Sequence, residues 1–360
     1  MKELKIGNRV ASIPIIQGGM GVGVSRSSLA GAVAKEGGIG VISSAQIGYD
    51  EPGFEGNEQA CNLRAIDRHI ARAKELAQGA GLVGINIMTA LKHYKEHVRE
   101  AVKAKADLII CGAGLPAELP GIVREAAREF DCRDGELPAL APIVSSEKAA
   151  RVICKLWEKK YDCQPDLIIV EGPKAGGHLG FSREQLETLT PQAYDEEIRR
   201  IVACARELGE RRGAHIPVVA AGGIFDRADV EHAFSLGAEG VQVASRFVAT
   251  DECDASEAFK QAYVWADEED LTIIKSPVGM PGRAIRNRFI EQMEAGGGHI
   301  ERCYRCLEHC DPKRAPYCIT RALVNAVKGD LDHGLIFAGA NIGRIREITS
   351  VHKIMRELAF

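Results

Sequence analysis

The chain alternates short, continuously apolar segments with longer amphipathic ones. An apolar segment without polar alternation is typical of a parallel β-strand that is covered on both faces. Between these segments the apolar residues follow helical spacing, as in residues 195–210, where Ile198, Ile201, Val202 and Leu208 lie roughly on one stripe. The apolar segments are eight in number and begin at Ile13, Ile39, Leu82, Leu108, Leu137, Asp166, Ile216 and Gly240.

Eight strand–helix units within about 265 residues predict an α/β fold of the (β/α)8 TIM barrel type. An open doubly wound sheet is the alternative, and the regularity of eight units favours the barrel. We therefore assign residues 1–272 to the barrel and residues 273–360 to a C-terminal cap region. Residues 45–62 follow the second strand as a long polar stretch, and we interpret them as a lid loop over the barrel mouth.

The composition is that of a globular protein, with 46% hydrophobic and 27% charged residues and a formal net charge of −4. A nucleic-acid-binding protein would show a basic excess, so we exclude a nucleic-acid partner. No apolar run reaches the ~20 residues needed to span a bilayer, and the first residues contain no signal-peptide core. We therefore expect a cytoplasmic protein without a membrane partner, in which the 11 cysteines are reduced thiols or metal ligands rather than disulfides.

Glycines and polar side chains cluster where the predicted strands end. In a (β/α)8 barrel the functional site lies at these carboxyl ends, and glycine pairs there let backbone N–H groups face a ligand. The residues after the seventh and eighth strands have the order and spacing of a barrel phosphate site. The candidate binding residues are Gln17, Gly18, Gly19 and Met20 after the first strand, Asn86 after the third, Glu171 after the sixth, Gly222 and Gly223 after the seventh, and Ala244 and Ser245 after the eighth.

His178 is the candidate catalytic residue. It follows Gly176 and Gly177 beyond the sixth strand, where no bulky neighbour in the sequence would bury it. The other histidines lie mostly on helices among polar residues, where a solvated role is expected. An imidazole that titrates near neutrality can take a proton or polarise a carbonyl or nitro oxygen, so this position predicts acid–base chemistry at the barrel mouth.

Four cysteines within 16 residues form a separate candidate site. Cys303, Cys306, Cys310 and Cys318 follow a C-x2-C-x3-C-x7-C pattern. Thiolates at this spacing suit an iron–sulfur cluster or zinc. The alternative is a set of four reduced thiols around a turn that contains two prolines.

Several of these motifs together resemble the nitronate monooxygenase (2-nitropropane dioxygenase) family, which includes flavin-dependent enoyl-acyl-carrier-protein reductases. The resemblance covers roughly residues 10 to 290. The motifs that carry it are PIIQGGMGVGVS at the first strand, GINIM at the third, VEGPKAGGHLG at the sixth, VVAAGGI at the seventh and GVQVASRF at the eighth.

The resemblance implies FMN as the cofactor. It places the FMN phosphate at Gly222, Gly223, Ala244 and Ser245, and the flavin ring against the glycines after the first strand. Asn86 then supports the cofactor, Gly176 and Gly177 allow the backbone to approach it, and His178 faces the substrate. Family members more often have Gly-Thr where this chain has Ala244 and Ser245.

The function predicted from the sequence is an FMN-dependent oxidoreductase that acts on a small molecule. It either oxidises alkyl nitronates with O2 or reduces an enoyl thioester with NAD(P)H, and the motifs do not separate the two. A third alternative is a flavin and iron–sulfur protein for electron transfer or redox sensing, in which the cysteine segment is the operative part. A homodimer is an open alternative for the assembly.

Overall fold

The eight apolar segments pair side by side as a closed parallel barrel in the computed structural model, which describes residues 1–296 and 300–359. Each strand pairs with the next in chain order, and the eighth pairs with the first through Val241 and Ile15. The predicted TIM barrel is therefore confirmed. The barrel strands are Ile15–Gln17, Ile39–Ser43, Leu82–Met88, Leu108–Gly112, Ala139–Val144, Ile168–Glu171, Val218–Ala221 and Gly240–Val243.

Helices surround the barrel because each connection carries an apolar stripe that packs on the strands. In the helix Pro191–Glu210, Ile198, Ile201 and Leu208 are buried, while Val202 is only half-buried. The helices between the first strand and residue 265 are Ser27–Lys35, Glu58–Ala77, Tyr94–Lys103, Leu119–Glu129, Glu147–Tyr161, Arg183–Thr188, Pro191–Glu210, Arg227–Ser235, Ser245–Val248 and Glu257–Trp265. Within the described residues, no helix combines the length and the apolar character that a membrane crossing requires.

An N-terminal hairpin closes one end of the barrel. Its strands, Leu4–Ile6 and Arg9–Ala11, pair antiparallel. Leu4 and Ile6 are fully buried in the same apolar cluster as Leu108 and Leu167, which stand at the beginnings of two barrel strands. The opposite end, where the strands finish, is therefore the end available for a site.

The last helix, Val351–Ala359, belongs to the outer ring of the barrel. It packs between the helices Ser27–Lys35 and Arg227–Ser235, where its buried residues join one apolar cluster with theirs. The helix directly after the eighth strand, Ser245–Val248, is only four residues long. The C-terminal helix thus occupies the ring position that this short helix leaves uncovered.

Other parts of the C-terminal region cover the barrel mouth. The strands Leu271–Lys275 and Pro281–Ile285 form an antiparallel pair, and the short strand Gly177–His178 adds to it as a third member. The helices Arg288–Glu294 and Ile319–Lys328 follow. The chain therefore returns to the loop after the sixth barrel strand about 100 residues later, as the pairing of His178 with Gly282 shows.

The predicted lid segment, residues 45–62, is not a single loop. Residues 45–57 form consecutive turns, while residues 58–62 are the first part of the helix Glu58–Ala77, since Cys61 and Asn62 begin its buried stripe. The turns pack on the segment that contains the four cysteines, residues 303–318, which we call the cysteine segment: the rings of Phe54 and Tyr304 stack with centroids 6.1 Å apart. A lid role for this segment stays a prediction.

Candidate active site

A cavity of about 340 Å³ lies at the carboxyl ends of the barrel strands. This volume is in the range of cofactor and small-molecule sites. We call it the main cavity, and every predicted binding or catalytic residue except Gln17 lines it. These residues are Gly18, Gly19, Met20, Asn86, Glu171, Gly176, Gly177, His178, Gly222, Gly223, Ala244 and Ser245.

Gln17 is the exception because its side chain is fully buried beside the second strand. Its Nε2 donates to the Val41 carbonyl at 3.2 Å, and its Oε1 accepts from the Val41 N–H at 3.1 Å. The side chain thus ties two barrel strands together behind the cavity wall. A contact between Gln17 and the cofactor stays a prediction, since Gln17 is not among the residues that line the cavity.

The wall after the first strand consists of glycine backbone because side chains would fit poorly there. A Cβ on Gly19 would lie 2.5 Å from the Asn86 Cβ, and a Cβ on Gly18 would lie 3.3 Å from the Gln242 side chain. Asn86 and Gln242 also line the cavity. Any larger residue would push these two polar side chains out of place or fill the space in front of them. This surface fits a planar ring.

The neighbouring part of the cavity, at the ends of the seventh and eighth strands, suits an anion. Gly222 and Gly223 have φ values of +84° and +104°, a region that favours glycine. Within the described residues, the backbone N–H groups of Gly223, Ile224 and Ser245 form no hydrogen bond, and these residues line the cavity. Unpaired N–H groups on a glycine turn form a cradle for a phosphate. The predicted phosphate site therefore has the donors that the FMN phosphate requires.

His178 is held in place by residues that are far away in the sequence. Its Nε2 lies 2.7 Å from the Ser276 Oγ, and its ring meets the Phe337 ring edge-on with centroids 5.0 Å apart. Burial lowers the pKa of His178 to about 4. The imidazole is therefore neutral at pH 7. The sequence had suggested instead that it titrates near neutrality. A neutral imidazole can accept a proton or donate one hydrogen bond.

The loop before His178 is fixed by Arg283. The Arg283 Nη1 donates to the carbonyl oxygens of Pro173 at 2.7 Å and Ala175 at 2.5 Å. Both carbonyl groups belong to the residues shortly before Gly176 and Gly177, so these bonds hold the glycine loop at the cavity. A charged donor that serves two carbonyl acceptors makes stronger bonds than a neutral one.

Glu171 lies at the cavity floor, and burial raises the pKa of its carboxyl group to about 7. The pKa of Glu171 is higher in the folded protein than in the unfolded chain, so the folded state binds its proton more tightly. This proton stabilises the folded protein fully below about pH 4.5, and the stabilisation is lost as the pH rises through about 7. Above that pH the cofactor-free protein holds a desolvated carboxylate. Glu171 is only half-buried by its accessible surface, so solvent screens part of this cost.

We expect Glu171→Gln to stabilise the cofactor-free protein at pH 8.5 by about 1 kcal/mol, with a smaller gain at pH 5, because the amide never ionises. Urea unfolding at the two pH values measures the difference. Glu187→Gln, at an exposed position of the helix Arg183–Thr188, is the matched control. Equal stability of Glu171→Gln and the unmodified protein at pH 8.5 would contradict the assignment.

Sequence reasoning missed the wall that the C-terminal region contributes. Residues 337–341 line the main cavity and are bonded to the predicted phosphate loops. The Gly339 N–H donates to the Ser245 Oγ at 2.9 Å, and the Asn341 Nδ2 donates to the Gly223 carbonyl at 2.7 Å. The local signal is the stretch FAGAN, in which small residues stand next to a polar one, as Gly18 and Gly19 stand next to Gln17.

The four cysteines of the C-terminal segment line a second cavity of about 290 Å³, which we call the cysteine cavity. Among the described residues, no three His, Cys, Asp or Glu side chains are grouped so that they could hold a metal ion. All four thiols are free of disulfides. The structure therefore brings the four predicted ligands to one cavity, and an iron–sulfur cluster or zinc at this place stays a prediction.

Comparison with known proteins places these features in a family context. The family model described as nitronate monooxygenase matches residues 50–360. A probable nitronate monooxygenase from Staphylococcus aureus is 26% identical over 309 residues, which cover 80% of this chain and 79% of the relative.

Two solved structures share the fold. FabK from Thermotoga maritima has a TM-score of 0.69 and 26% identity, and the match covers 96% of this chain and 91% of FabK. A nitroalkane oxidase from Streptomyces ansochromogenes has a TM-score of 0.67 and covers 96% of each chain, with 19% identity. Both comparisons extend over the barrel and the C-terminal region together.

Proposed function

This chain belongs to the nitronate monooxygenase family and is a flavin-dependent oxidoreductase, and we propose that it binds FMN and oxidises alkyl nitronates with O2. The arrangement of the main cavity supports the flavin site, and the match to the nitronate monooxygenase family model favours the nitronate as the substrate. A wall of glycine backbone, a neighbouring cradle of unpaired backbone N–H groups and a neutral histidine line the same space.

The residues of the cavity divide into cofactor-holding and substrate-facing groups. The N–H groups of Gly223, Ile224 and Ser245 would hold the FMN phosphate, with Gly18 and Gly19 against the ring. When bound, the flavin supplies a carrier that accepts two electrons from a substrate and passes them to a second one. The protein contributes binding, orientation and control of protons.

His178 is the group that handles protons or polarises the substrate. In the neutral form it can take the proton from the carbon next to a nitro group, or it can donate a hydrogen bond to a nitronate oxygen. Ser276 fixes the ring through Nε2. Phe337 and Tyr263 line the cavity beside it and keep apolar surface against the reacting end of a substrate.

NAD(P)H-dependent reduction of an enoyl thioester is the second candidate. It is favoured by the likeness to FabK, an enoyl reductase neighbour that matches across almost the whole chain. The same histidine would then donate a hydrogen bond to the thioester carbonyl. The main cavity supports both substrates, because each presents a planar, oxygen-bearing group to the flavin face.

Anaerobic mixing separates the two candidates. We expect the anion of 2-nitropropane to bleach the flavin absorbance of the purified protein and admitted O2 to restore it, whereas NADH and NADPH leave the spectrum unchanged on the same timescale. Neutral 2-nitropropane must lose a proton before it can react as a nitronate, so bleaching by the neutral compound shows whether the protein also deprotonates the substrate. Rapid bleaching by NADH or NADPH, followed by reoxidation with crotonyl-CoA, would replace the proposal with the enoyl reductase.

A further inference from the structure

The cysteine segment contains almost no regular structure. Between the helices Arg288–Glu294 and Ile319–Lys328, the described residues form no helix, and the only strand-like contact is a bridge between Leu307 and Leu91. A long irregular stretch inside a compact domain usually has a function or an additional restraint. No disulfide supplies that restraint.

Backbone bonds fix this segment to the loop after the third barrel strand. The Lys92 N–H donates to the Cys306 carbonyl at 3.1 Å, and the Glu308 N–H donates to the Ala90 carbonyl at 3.0 Å. Cys318 stands directly before the helix Ile319–Lys328. The cysteines therefore lie in different local structures around the cysteine cavity: Cys306 is next to the bridged Leu307, Cys310 follows a turn, and Cys318 directly precedes a helix.

A backbone donor and two basic side chains lie around the thiols. The Arg305 N–H donates to the Cys303 Sγ at 3.3 Å, with Arg305 in the left-handed region at φ +49°. Lys92 and Arg305 line the cavity and offset negative charge. Backbone N–H bonds to sulfur and nearby cations are features that tune iron–sulfur clusters.

The cysteine cavity has room for a group larger than a single ion. Zinc bound to four cysteines holds each sulfur at about 2.3 Å, which draws the ligands tightly together. The four cysteines here line one cavity of about 290 Å³ together with other residues. Within the part of the chain that the structure describes, they are not grouped as ligands of one ion. A cubane of iron and sulfide is larger, so its four cysteines stand farther apart.

We propose that Cys303, Cys306, Cys310 and Cys318 ligate a four-iron iron–sulfur cluster. The proposal is independent of the substrate of the main cavity. The cluster would cross-link the irregular segment and fix the start of the helix Ile319–Lys328. Ile319 lines the cysteine cavity and Leu323 lines the main cavity, and four helical residues span about 6 Å. The cluster would thus lie close to the flavin site.

Elemental and sulfide analysis tests the proposal on the full chain purified without oxygen. We expect about four iron and four acid-labile sulfide per chain, with broad visible absorbance in addition to the flavin bands. Cys303→Ser and Cys310→Ser should each lose most of the iron and sulfide. Cys132→Ser, at a half-buried thiol outside the segment, should keep both.

Flavin content measured on the same samples reports whether the barrel is intact, and Cys303 is exposed, so its replacement perturbs packing least. The analysis of the unmodified protein depends on no variant. One zinc per chain without sulfide would overturn the proposal. So would the absence of metal with all four thiols reacting freely with a thiol reagent.

Discussion

Replacing His178 by alanine is expected to lower kcat by about 10²- to 10⁴-fold while FMN remains bound. This range is usual for the loss of a positioned general acid or base. His178 lines the main cavity, and its contacts with Ser276 and Phe337 hold the ring in one orientation. Steady-state kinetics together with the flavin spectrum of the variant measure both parts of the expectation.

The pH dependence distinguishes a base from a hydrogen-bond donor. Burial lowers the pKa of His178 to about 4. If the residue acts as a base, kcat/KM is level at neutral pH and falls as the pH drops through about 4, because protonation removes the acceptor. The variant lacks this acidic limb. If His178 only binds the substrate, KM rises with little change in kcat.

His215→Ala is the matched control, since His215 is exposed and paired with Glu239 on the surface. It should retain full turnover. A His178→Ala enzyme with unchanged kinetics on every accepted substrate would show that the histidine only packs against the C-terminal strands.

Introducing a carboxylate at Ala244 is expected to weaken FMN binding by about 10²- to 10³-fold. Ala244 lines the cavity next to the unpaired N–H groups, with φ −124° and ψ −70°, so a side chain there needs no left-handed backbone. Two like charges about 4 Å apart repel by about 4 kcal/mol at the effective dielectric of a protein surface. Flavin titration of Ala244→Asp measures the loss.

Ala244→Asn separates charge from size, because Asn has nearly the same shape as Asp and no charge. We expect it to bind FMN much more tightly than the Asp variant. Ala71→Asp, on the exposed side of the helix Glu58–Ala77, controls for a general effect of added negative charge. Equal losses for Asp and Asn at position 244 would mean that the phosphate lies elsewhere.

The sequence by itself determined the barrel and most of the main cavity. A parallel strand that is covered on both faces must be continuously apolar, so each of the eight strands is visible as a local pattern. The ends of these strands are just as local, because glycines and polar residues interrupt the apolar run where the backbone turns toward a ligand. Gly18, Gly19, Gly222 and Gly223 were therefore identifiable, and all four line the cavity.

The orientation of single side chains at those ends was not determined locally. Gln17 and Gly18 are neighbours at the end of one strand, yet Gly18 lines the cavity and the Gln17 amide bonds to Val41. Successive side chains of a strand point to opposite faces, and which face meets the ligand depends on how the barrel closes. The pairing of the first strand with the second decides that the Gln17 side chain points toward Val41.

Only the tertiary structure decided what the C-terminal region does. His178 pairs with Gly282 and bonds to Ser276, 98 residues away, and residues 337–341 complete the cavity wall. The last helix fills the ring beside the first one. Contacts between residues so far apart leave no periodic pattern in the chain, because each depends on the path of the whole backbone. For the same reason the low pKa of His178 follows from burial by these distant residues and not from its glycine-rich neighbours.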